Sequence, residues 1–381
     1  MTLGSWKKPL AYGLAIALGL RIVLTAIHGL LWLALPQDSL RQLMWKAASN
    51  PVIPPVTTEL ELITLGAWRR WDAIHYLNLT VNGYRLSDAG ATVYAPATSL
   101  LFSAAGRIIP GPLDLAIAIT QVLLFGVVLT LVWQICRAYY RDDRLAPYAM
   151  LVCALLPLSY VFLAPTSESL FLALTLAFFL SFSQRRALIG GLFVFLAALT
   201  RSQGVLLFLV AIALLYERCD RAVPWRQQLW SITRRGWPAI LIPLGYVVFV
   251  VFRTGAGFPS LNEVYLNYSY VCFADPLSGI AYNIRWILGN LTAALTNIDI
   301  MSMFVYAILI VLMLRSPRHR KPALLVYTLA TLLVIFSKIN YEYGTDRLYY
   351  TQSFARYALV LWPVHIFVAD RIRAFKPRWR Q

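Results

Sequence analysis

Long apolar runs separated by short polar segments are the main pattern along this chain. The runs are each about 15 to 27 residues long, near the ~20 residues that an α-helix needs to cross ~30 Å of hydrocarbon. No run alternates with the two-residue period of a barrel strand. The pattern predicts an all-α polytopic membrane protein, a bundle of about ten transmembrane helices within a range of about nine to twelve. The predicted spans are 10–35, 113–136, 146–163, 167–182, 187–200, 203–217, 238–253, 299–315, 322–338 and 355–370.

Two further apolar segments, 93–109 and 278–298, do not fit this alternation, because counting either one as a crossing inverts the sidedness of every later basic loop. We expect interfacial or re-entrant helices there. The first run, 10–35, is longer than the apolar core of a signal peptide, and no small-residue cleavage site follows it. It is therefore interpreted as a retained anchor, and residues 1–381 as a single integral membrane domain.

Composition and charge agree with this class of protein. Hydrophobic residues make up 59% of the chain and charged residues 13%, whereas soluble domains contain about 45–50% and about 25%. A net charge of +17 would suggest nucleic acid as the partner of a soluble protein. Here 21 of the 34 Lys and Arg lie in six short stretches, 1–9, 137–145, 183–187, 217–236, 315–321 and 371–381.

The positive-inside rule places these basic stretches in the cytoplasm, together with both termini. Residues 36–112 then form the first extracytoplasmic loop, and no nucleic-acid partner is expected. This assignment puts any chemistry in that loop on the extracytoplasmic face of the membrane.

The first outer loop carries the sequence WRRWDAIHYLNLTVNGY at residues 68–84. A helix over 68–80 would place Asp72, His75 and Tyr76 on one face. A lone carboxylate in an acid-poor protein, with a neighbouring imidazole to hold it ionised, is typical of a general base. Asp72 is therefore the leading catalytic candidate, and an aromatic-belt helix with a solvated aspartate is the alternative interpretation.

The rest of this motif suits a helix that lies in the headgroup layer of the membrane. Amphipathic aromatic side chains settle at that depth, and arginines there reach lipid phosphates. The residues expected in this layer are Trp68, Arg69, Arg70, Trp71 and Tyr84.

Other polar residues carry weaker signals. Arg21 and His28 lie two turns apart inside the first span and are either functional or a structural pair. The RDDR sequence at 141–144 is interpreted as a solvated, charged turn. The cysteines show neither a CxxC pattern nor metal-site spacing, and are interpreted as small core residues. They are Cys136, Cys153, Cys219 and Cys272.

The string RWDAIHYLNLTVNGY closely resembles the first-loop signature of the second GPI mannosyltransferase family, which belongs to the GT-C superfamily of membrane glycosyltransferases that use polyprenyl-phosphate sugars. Three later stretches resemble the same family in matching order: LPLSYVFLAPTSESLFLAL (156–174), LTRSQG (199–204) and SFARYALVLWPVHIF (353–367). The stretch VYAPAT at 93–98 departs from the more aromatic, double-proline sequence expected there.

This resemblance implies a GT-C-type bundle with interfacial helices in the first outer loop. It implies that Asp72 is the catalytic carboxylate and that His75 and Tyr76 shape the acceptor side. It also suggests that Glu168 and Ser169, at the outer mouth between two spans, line the site.

The resemblance further makes Arg201 and Arg356 candidates for holding the donor phosphate, and places Tyr357 with them as a substrate-binding residue. Simpler interpretations stay open, because an arginine near a span end is often an interfacial side chain that reaches the headgroups. Glu168 is equally explicable as the first-turn acid of a helix that begins at 167.

The predicted activity is the transfer of a sugar, mannose by resemblance, from a polyprenyl-phosphate donor to a lipid-linked or other extracytoplasmic acceptor. Inversion is expected because one base is available on one face. No metal or other cofactor is expected, since the outer loops hold no clustered carboxylates. Membrane lipid, the donor and a glycolipid or glycan acceptor are the expected partners. A transporter or flippase for a lipid-linked sugar, and a non-catalytic sensor or assembly factor, are the alternatives.

Overall fold

The computed structural model of the protein describes residues 4–34, 42, 45–46, 48–49, 53–220, 222–268, 271–341 and 348–375. As predicted, the fold is all-α. The helices are α1 (Gly4–Ala34), α2 (Glu59–Thr64), α3 (Ala73–Asn82), α4 (Pro96–Ile108), α5 (Leu113–Ala138), α6 (Ala146–Ala154), α7 (Glu168–Ser183), α8 (Ala187–Ala198), α9 (Leu207–Tyr216), α10 (Trp225–Gly236), α11 (Leu241–Gly255), α12 (Leu261–Tyr268), α13 (Pro276–Gly289), α14 (Leu291–Thr296), α15 (Ile298–Leu314), α16 (Pro322–Ser337), α17 (Phe354–Tyr357) and α18 (Trp362–Ala374).

Two of the described helices are long and apolar enough to cross a membrane, namely α1, over 29 residues from Trp6, and α5, over 26 residues. Six shorter apolar segments of 10–17 residues coincide with α7, α8, α9, α11, α15 and α16. A helix of that length spans only about 15–26 Å. The total of ten crossings therefore stays a prediction, although the helices begin and end close to the predicted spans. Segments 93–109 and 278–298 also contain helices, α4 and the α13–α14 pair.

Several predicted spans are interrupted, and this shortens their helices. The span predicted at 146–163 breaks after α6, where Pro157 cannot donate a helical hydrogen bond and Leu158 takes a left-handed φ of 65°. The last predicted span is interrupted before α18 by short turns that follow Ser353, which has a φ of 62°. Irregular backbone inside an apolar bundle is tolerated where it is buried in protein or lines a cavity.

The outer surfaces of several helices are apolar. Leu33 of α1, Val251 of α11 and Ile308 of α15 are 75%, 63% and 60% exposed. Water-facing surfaces rarely hold extended apolar patches, whereas helices in a bilayer present such faces to lipid. The exposed leucine, isoleucine and valine side chains thus support the membrane class of the protein.

The bundle interior is packed with aromatic and aliphatic side chains from α5 to α9. Phe125 of α5 stacks on Phe162 with ring centroids 4.9 Å apart. Cys136 and Cys153 are buried in this core, which confirms the prediction for these two, whereas Cys219 and Cys272 are half-buried.

One end of the bundle is tied together by charged side chains from three of the predicted basic stretches. Asp142 accepts hydrogen bonds from Arg318 at 2.7 Å and from Arg373 at 2.5 Å. Asp370 accepts from Arg373 at 2.8 Å and lies 3.0 Å from His319 Nε2. The prediction of a solvated RDDR turn is wrong for Asp142, whose side chain is only 18% exposed because the two arginines cover it.

A small antiparallel sheet, which the apolar pattern did not predict, lies at the opposite end. Its strands are β1 (Val271–Phe273), β2 (Lys338–Tyr341) and β3 (Leu348–Tyr349), in the order β1-β2-β3. Cys272 pairs with Ile339, and Asn340 pairs with Tyr349. Because β2 continues directly from α16, the sheet fixes the backbone at the end of that helix.

Gly279 of α13 allows two backbones to approach closely beside this sheet. A Cβ atom at position 279 would overlap the carbonyl oxygen of Phe336 in α16. Such an overlap is far closer than van der Waals packing allows, and the clashing atom belongs to the backbone, so no side chain fits without a shift of the helices.

Candidate active site

The segment at 66–84 is not one continuous helix, and the prediction of a helix over 68–80 is corrected. A 3-10 turn covers Gly66–Trp68, Trp71 takes a positive φ of 49°, and α3 begins only at Ala73. Asp72 occupies the N-cap position of α3, with its own backbone helical at φ −60° and ψ −17°. Because the chain is not helical between Trp68 and Ala73, the side chains before Asp72 do not share a helix face with it.

Arg69 explains part of this break and does not reach lipid phosphate as predicted. Its guanidinium is 1% exposed and binds Asp114 through both ends, with Nε to Oδ1 at 3.0 Å and Nη2 to Oδ2 at 2.5 Å. It also donates to the carbonyl of Pro54 at 2.7 Å. Because the hydrogen bonds of this guanidinium are made to groups inside the protein, Arg69 has a structural role and anchors the first loop to α5.

Trp68 is also buried, at 3% exposure, and does not lie in the headgroup layer as predicted. The guanidinium of Arg21 stacks over its ring at 3.6 Å, and His28 meets the same ring edge-on at 5.9 Å. Arg21 also donates to the carbonyls of Leu163 and Thr64. Arg21 and His28 therefore both contact the Trp68 ring and hold the first loop against α1.

Trp71 and Arg70 are more accessible than their neighbours. Trp71 is 60% exposed, as an interfacial aromatic would be. Arg70 is half-buried, and within the described part of the chain its Nη1 has no hydrogen-bond partner.

Asp72 accepts one hydrogen bond at each carboxylate oxygen. Tyr94 donates to Oδ1 at 3.0 Å, and Arg356 Nη1 donates to Oδ2 at 2.7 Å. The Asp72 side chain is 30% exposed. Burial acts to raise the pKa of Asp72, but the charge of Arg356, the hydrogen bonds from Tyr94 and Arg356 and the charge of Arg201 together hold it below its ordinary value. The carboxylate is therefore ionised at neutral pH and keeps lone pairs for a further donor.

Glu168 begins α7, as the first-turn interpretation expects, and it is also the centre of an ion network. Its side chain is 1% exposed. Its Oε1 accepts from Arg356 Nε at 2.7 Å and from Arg201 Nη1 at 2.7 Å, and lies 2.6 Å from Arg356 Nη2. Arg201 also donates to Ser167 at 3.1 Å. Asp72, Arg356, Glu168 and Arg201 thus form a continuous chain, which we call the ion network.

The turn that carries Arg201 is held by tight backbone packing at the end of α8. The Arg201 amide donates to the carbonyl of Ala197 at 3.0 Å, and the Gly204 amide donates to the carbonyl of Arg201 at 2.9 Å. A Cβ atom at position 204 would lie 2.6 Å from the backbone nitrogen of Ala198. Glycine in the TRSQG sequence therefore lets this turn lie against α8 and aims Arg201 at Glu168.

A cavity of about 630 Å³ opens beside the ion network. Asp72 and Arg201 lie in its wall together with aromatic and amide side chains from neighbouring loops, α11, α12 and the sheet. The principal lining residues are Asp72, Tyr76, Tyr94, Arg201, Gln203, Tyr246, Phe249, Asn262, Tyr265, Phe273, Lys338, Asn340, Gln352 and Tyr357. Pockets of this volume are typical of small-molecule sites.

The structure brings most of the predicted site residues into one region, but only some of them line the cavity. Among the described residues, Asp72, Tyr76, Arg201 and Tyr357 line the cavity. Four others lie outside the lining. Arg356 and Glu168 belong to the ion network, and the Ser169 hydroxyl donates to the carbonyl of Phe162 at 2.5 Å. The His75 ring stacks on the ring of Tyr94, with the centroids 5.0 Å apart. Arg69 and Arg70 also lie outside the described lining.

Most of the lining residues were missed by sequence reasoning, among them Tyr94 and Lys338. Tyr94 lies in the stretch that departs from the family pattern, and a single tyrosine carries no specific signal. Lys338 stands at the end of a predicted span, where a lysine is ordinarily an interfacial side chain. Two features of the sequence could have indicated Lys338. It is a positive charge on the side of the membrane that is expected to be poor in lysine and arginine, and the strand-like sequence INY follows it.

Lys338 adds a cation to the cavity. Its ammonium lies 4.8 Å from the ring centroid of Tyr357 and 5.9 Å from that of Tyr265. Within the described residues, no carboxylate lies at salt-bridge distance from it. Among the described residues, the ion network balances two carboxylates with two guanidiniums, and Lys338 adds a further positive charge to the cavity wall, which suits an anionic ligand.

No group of three or more histidine, cysteine, aspartate or glutamate side chains with metal-site geometry occurs in the described part of the chain. No protein-family model, curated protein or solved structure matches this chain.

Proposed function

We propose that the chain is an inverting membrane glycosyltransferase that moves a sugar from a polyprenyl-phosphate donor to a lipid-linked or other extracytoplasmic acceptor. One observation carries the proposal: an ionised carboxylate, Asp72, lies in the wall of a 630 Å³ cavity together with the cations Arg201 and Lys338. A base and phosphate-binding cations in one cavity are what this reaction requires. The sequence resemblance to the GPI mannosyltransferase and GT-C families supports the same reaction and suggests mannose.

The donor phosphate fits between Arg201 and Lys338. Arg201 uses Nε and Nη1 for Gln203, Ser167 and Glu168, and 12% of its side chain remains exposed. Lys338 offers an ammonium with no carboxylate at salt-bridge distance among the described residues. For Arg356 we propose a different role from the one implied by the resemblance, because its guanidinium donates to Asp72 and Glu168. Its proposed role is to orient the base.

The remaining lining suits a sugar. Aromatic rings such as Tyr94, Tyr265 and Tyr357 offer flat apolar faces, and the amides of Gln203 and Asn262 offer both donors and acceptors for hydroxyl groups. Mostly aromatic walls with a few polar groups are typical of small-molecule pockets.

The proposed reaction is a single displacement. The acceptor hydroxyl loses its proton to Asp72 as its oxygen bonds to the anomeric carbon, and the bond from that carbon to the phosphate oxygen breaks. The electron pair leaves with the phosphate, whose growing negative charge is stabilised by Arg201 and Lys338. A double displacement would need a carboxylate nucleophile, and Glu168 is buried by two guanidiniums outside the cavity lining.

The position of the cavity in the bundle supports an extracytoplasmic site. The cavity lies where α7 and α9 begin and where α16 ends, whereas the basic segments around Asp142 lie where α16 begins and α5 ends. The positive-inside rule places that basic end in the cytoplasm. The proposed topology is a multi-pass bundle with both termini in the cytoplasm and Asp72 on the opposite side.

The direct test is to incubate the purified protein with polyprenyl-phosphate mannose and a native lipid extract, and to search for a mannosylated product by mass spectrometry. We expect a product that forms equally well with EDTA, because the described cavity has no metal-binding cluster and its fixed cations face the phosphate. Activity that disappears with EDTA and returns with Mg²⁺ would contradict the cationic donor site. Donor movement across vesicles without any product would favour a transporter.

Replacing Lys338 by glutamine should lower kcat by about a hundredfold, a typical loss when one group that stabilises developing charge is removed. Lys338→Arg should keep most of the activity, and Arg201→Lys should lose it because the planar fork disappears. The losses should persist at saturating donor, since the charge is needed most as the bond breaks.

Arg285→Gln is the matched control for Lys338, because Arg285 is an exposed cation of α13 outside the described lining of the cavity. It should leave kcat and KM unchanged. A Lys338→Gln protein with normal kcat would remove Lys338 from the donor site.

A further inference from the structure

A second cavity, of about 330 Å³, lies at the other end of the bundle. It is formed where α7 and α9 end, where α8 begins, and along α10. Since α7 has 16 residues, this cavity is separated from Glu168 by about 24 Å along the helix. Its lining residues are Phe182, Arg185, Ala187, Leu215, Arg218, Cys219, Ser231, Ile232 and Arg235. We call it the arginine cavity.

Three arginines, the exposed Arg185 and Arg235 and the half-buried Arg218, line the arginine cavity without a counterion among the described residues. Arg185, Arg218 and Arg235 form no salt bridge within the described part of the chain. The nearest acid in sequence, Glu217, is engaged elsewhere, because it accepts from the hydroxyl of Tyr139 at 2.8 Å and from the amide of Ala323 at 2.7 Å. Three cations in the wall of one cavity make its electrostatic potential positive, so the arrangement suits a negatively charged ligand.

Two further observations describe how the arginines of the cavity are held. Burial, followed by the charge of Arg185 and more weakly by that of Arg235, lowers the pKa of Arg218 against the opposing effect of Glu217. Arg185 also adopts a left-handed φ of 65°, which is uncommon for a residue other than glycine. This is the usual conformation of the residue after a helix C-cap, since the amides of Arg185 and Arg186 donate to the carbonyls of Phe182 and Ser181. The end of α7 therefore fixes the position of Arg185 at the cavity.

Helix α10 sets the depth of the cavity relative to a membrane. Its Trp225 and Trp230, and Trp237 just after it, are 68%, 68% and 61% exposed, whereas Ser231 and Arg235 line the cavity. A short helix that exposes several tryptophans beside arginines is typical of the membrane interface. The cations of the cavity then stand at the level of lipid headgroups.

We propose that the arginine cavity binds the headgroup of an anionic phospholipid, with a phosphomonoester as the preferred group. A phosphate monoester presents up to two negative charges and several acceptor oxygens, which match guanidinium forks and the Ser231 hydroxyl. Phe182, Leu215 and Ile232 supply an apolar wall for the first carbons of the lipid. The inference is independent of the proposed catalytic function, because no residue of the arginine cavity belongs to the ion network.

The test uses the full chain in neutral detergent with dioctanoyl phosphatidic acid as the probe, dioctanoyl phosphatidylcholine as the zwitterionic comparison and inorganic phosphate as the soluble anion. Each guanidinium near an anionic headgroup contributes about a fivefold gain in binding, so phosphatidic acid should bind about a hundredfold more tightly than phosphatidylcholine. An R185Q/R218Q/R235Q protein should lose this preference.

The matched control is R186Q/R226Q/R234Q, which removes three exposed arginines from the same elements without touching the described lining of the cavity. It should keep the full preference for phosphatidic acid. Equal losses in the two triple variants would assign the effect to general surface charge and overturn the proposal. Inorganic phosphate that binds as tightly as phosphatidic acid would assign the cavity to a free anion and overturn the lipid assignment.

Cys219 gives a second measurement in the unmodified protein. Its sulfur lies in the cavity wall, within 3.9 Å of the carbonyl of Gln228 in α10. Phosphatidic acid should slow its reaction with N-ethylmaleimide, as measured by peptide mass spectrometry, and phosphatidylcholine should not. Cys272, on strand β1 at the other end of the bundle, should react at one rate in both lipids. Unchanged labelling of Cys219 would overturn the proposal even if the triple variant failed to fold.

Discussion

Replacing Asp72 by asparagine is expected to reduce glycosyl transfer by about 10²–10⁴, the usual contribution of a positioned general base. Asparagine has nearly the same shape and can still accept a hydrogen bond from Tyr94 or Arg356, so expression and thermal stability should change little. The loss should appear in kcat at saturating donor and acceptor, since the amide cannot take a proton.

Asp88→Asn is the control for this prediction, because Asp88 belongs to the same loop but lies outside the described cavity lining. It should retain the activity of the unmodified protein. An Asp72→Asn protein within about tenfold of normal turnover would contradict the role of Asp72 as the base.

The pH profile gives an independent check on Asp72. Its pKa lies below the ordinary 3.8, so the basic form is present above that value and is lost only as the pH falls through the lowered pKa. Deprotonation of Asp72 should therefore not limit the rate between about pH 5 and about pH 8.

Glu168→Gln is expected to damage both stability and activity. The change leaves the guanidiniums of Arg201 and Arg356 buried without the carboxylate that they share. Removal of one partner from a buried ion pair costs about 3–5 kcal/mol, because the remaining charge is uncompensated. Asp72 would also lose the fixed position of its Arg356 partner. Thermal unfolding in detergent and the transfer assay measure the two losses separately.

The double variant E168Q/R201Q separates loss of charge balance from loss of shape. It removes one charge of each sign, so its loss of stability should be smaller than the sum of the two single losses. Glu263→Gln, an exposed acid of α12, should be neutral. A Glu168→Gln protein as stable as the original would show that the ion network is not held by charge.

The helical class was predictable from the sequence because apolar runs of near-membrane length form helices in nearly every protein that contains them. The helix ends were predicted closely where polar loops follow, as at Ser183 and Leu314. Breaks near or inside apolar runs were missed, because the left-handed φ of Leu158 and Ser353 leaves no periodic signal and Pro157 was not weighed as a helix breaker. The sheet was missed because its strands are two to four residues long.

The residues of the candidate site were predicted only in part. Asp72 was predicted from its place in a polar motif of the first loop, whereas Arg201 and Tyr357 were predicted from the family resemblance. The roles of Arg69 and Arg356 depend on partners 45 and 284 residues away in sequence, Asp114 and Asp72, which spacing alone does not indicate. Long-range pairing therefore decided which arginines are structural and which face the cavity.

Gly279 carries a consequence for the way that related chains are interpreted. It has no place in the cavity lining, yet the carbonyl of Phe336 excludes every larger residue there, and strand β2 with Lys338 follows two residues after that carbonyl. A glycine that never varies at this position in an alignment would mark a steric requirement of the scaffold. An aspartate that never varies at position 72 would mark chemistry, so invariance alone cannot separate architecture from catalysis in this protein.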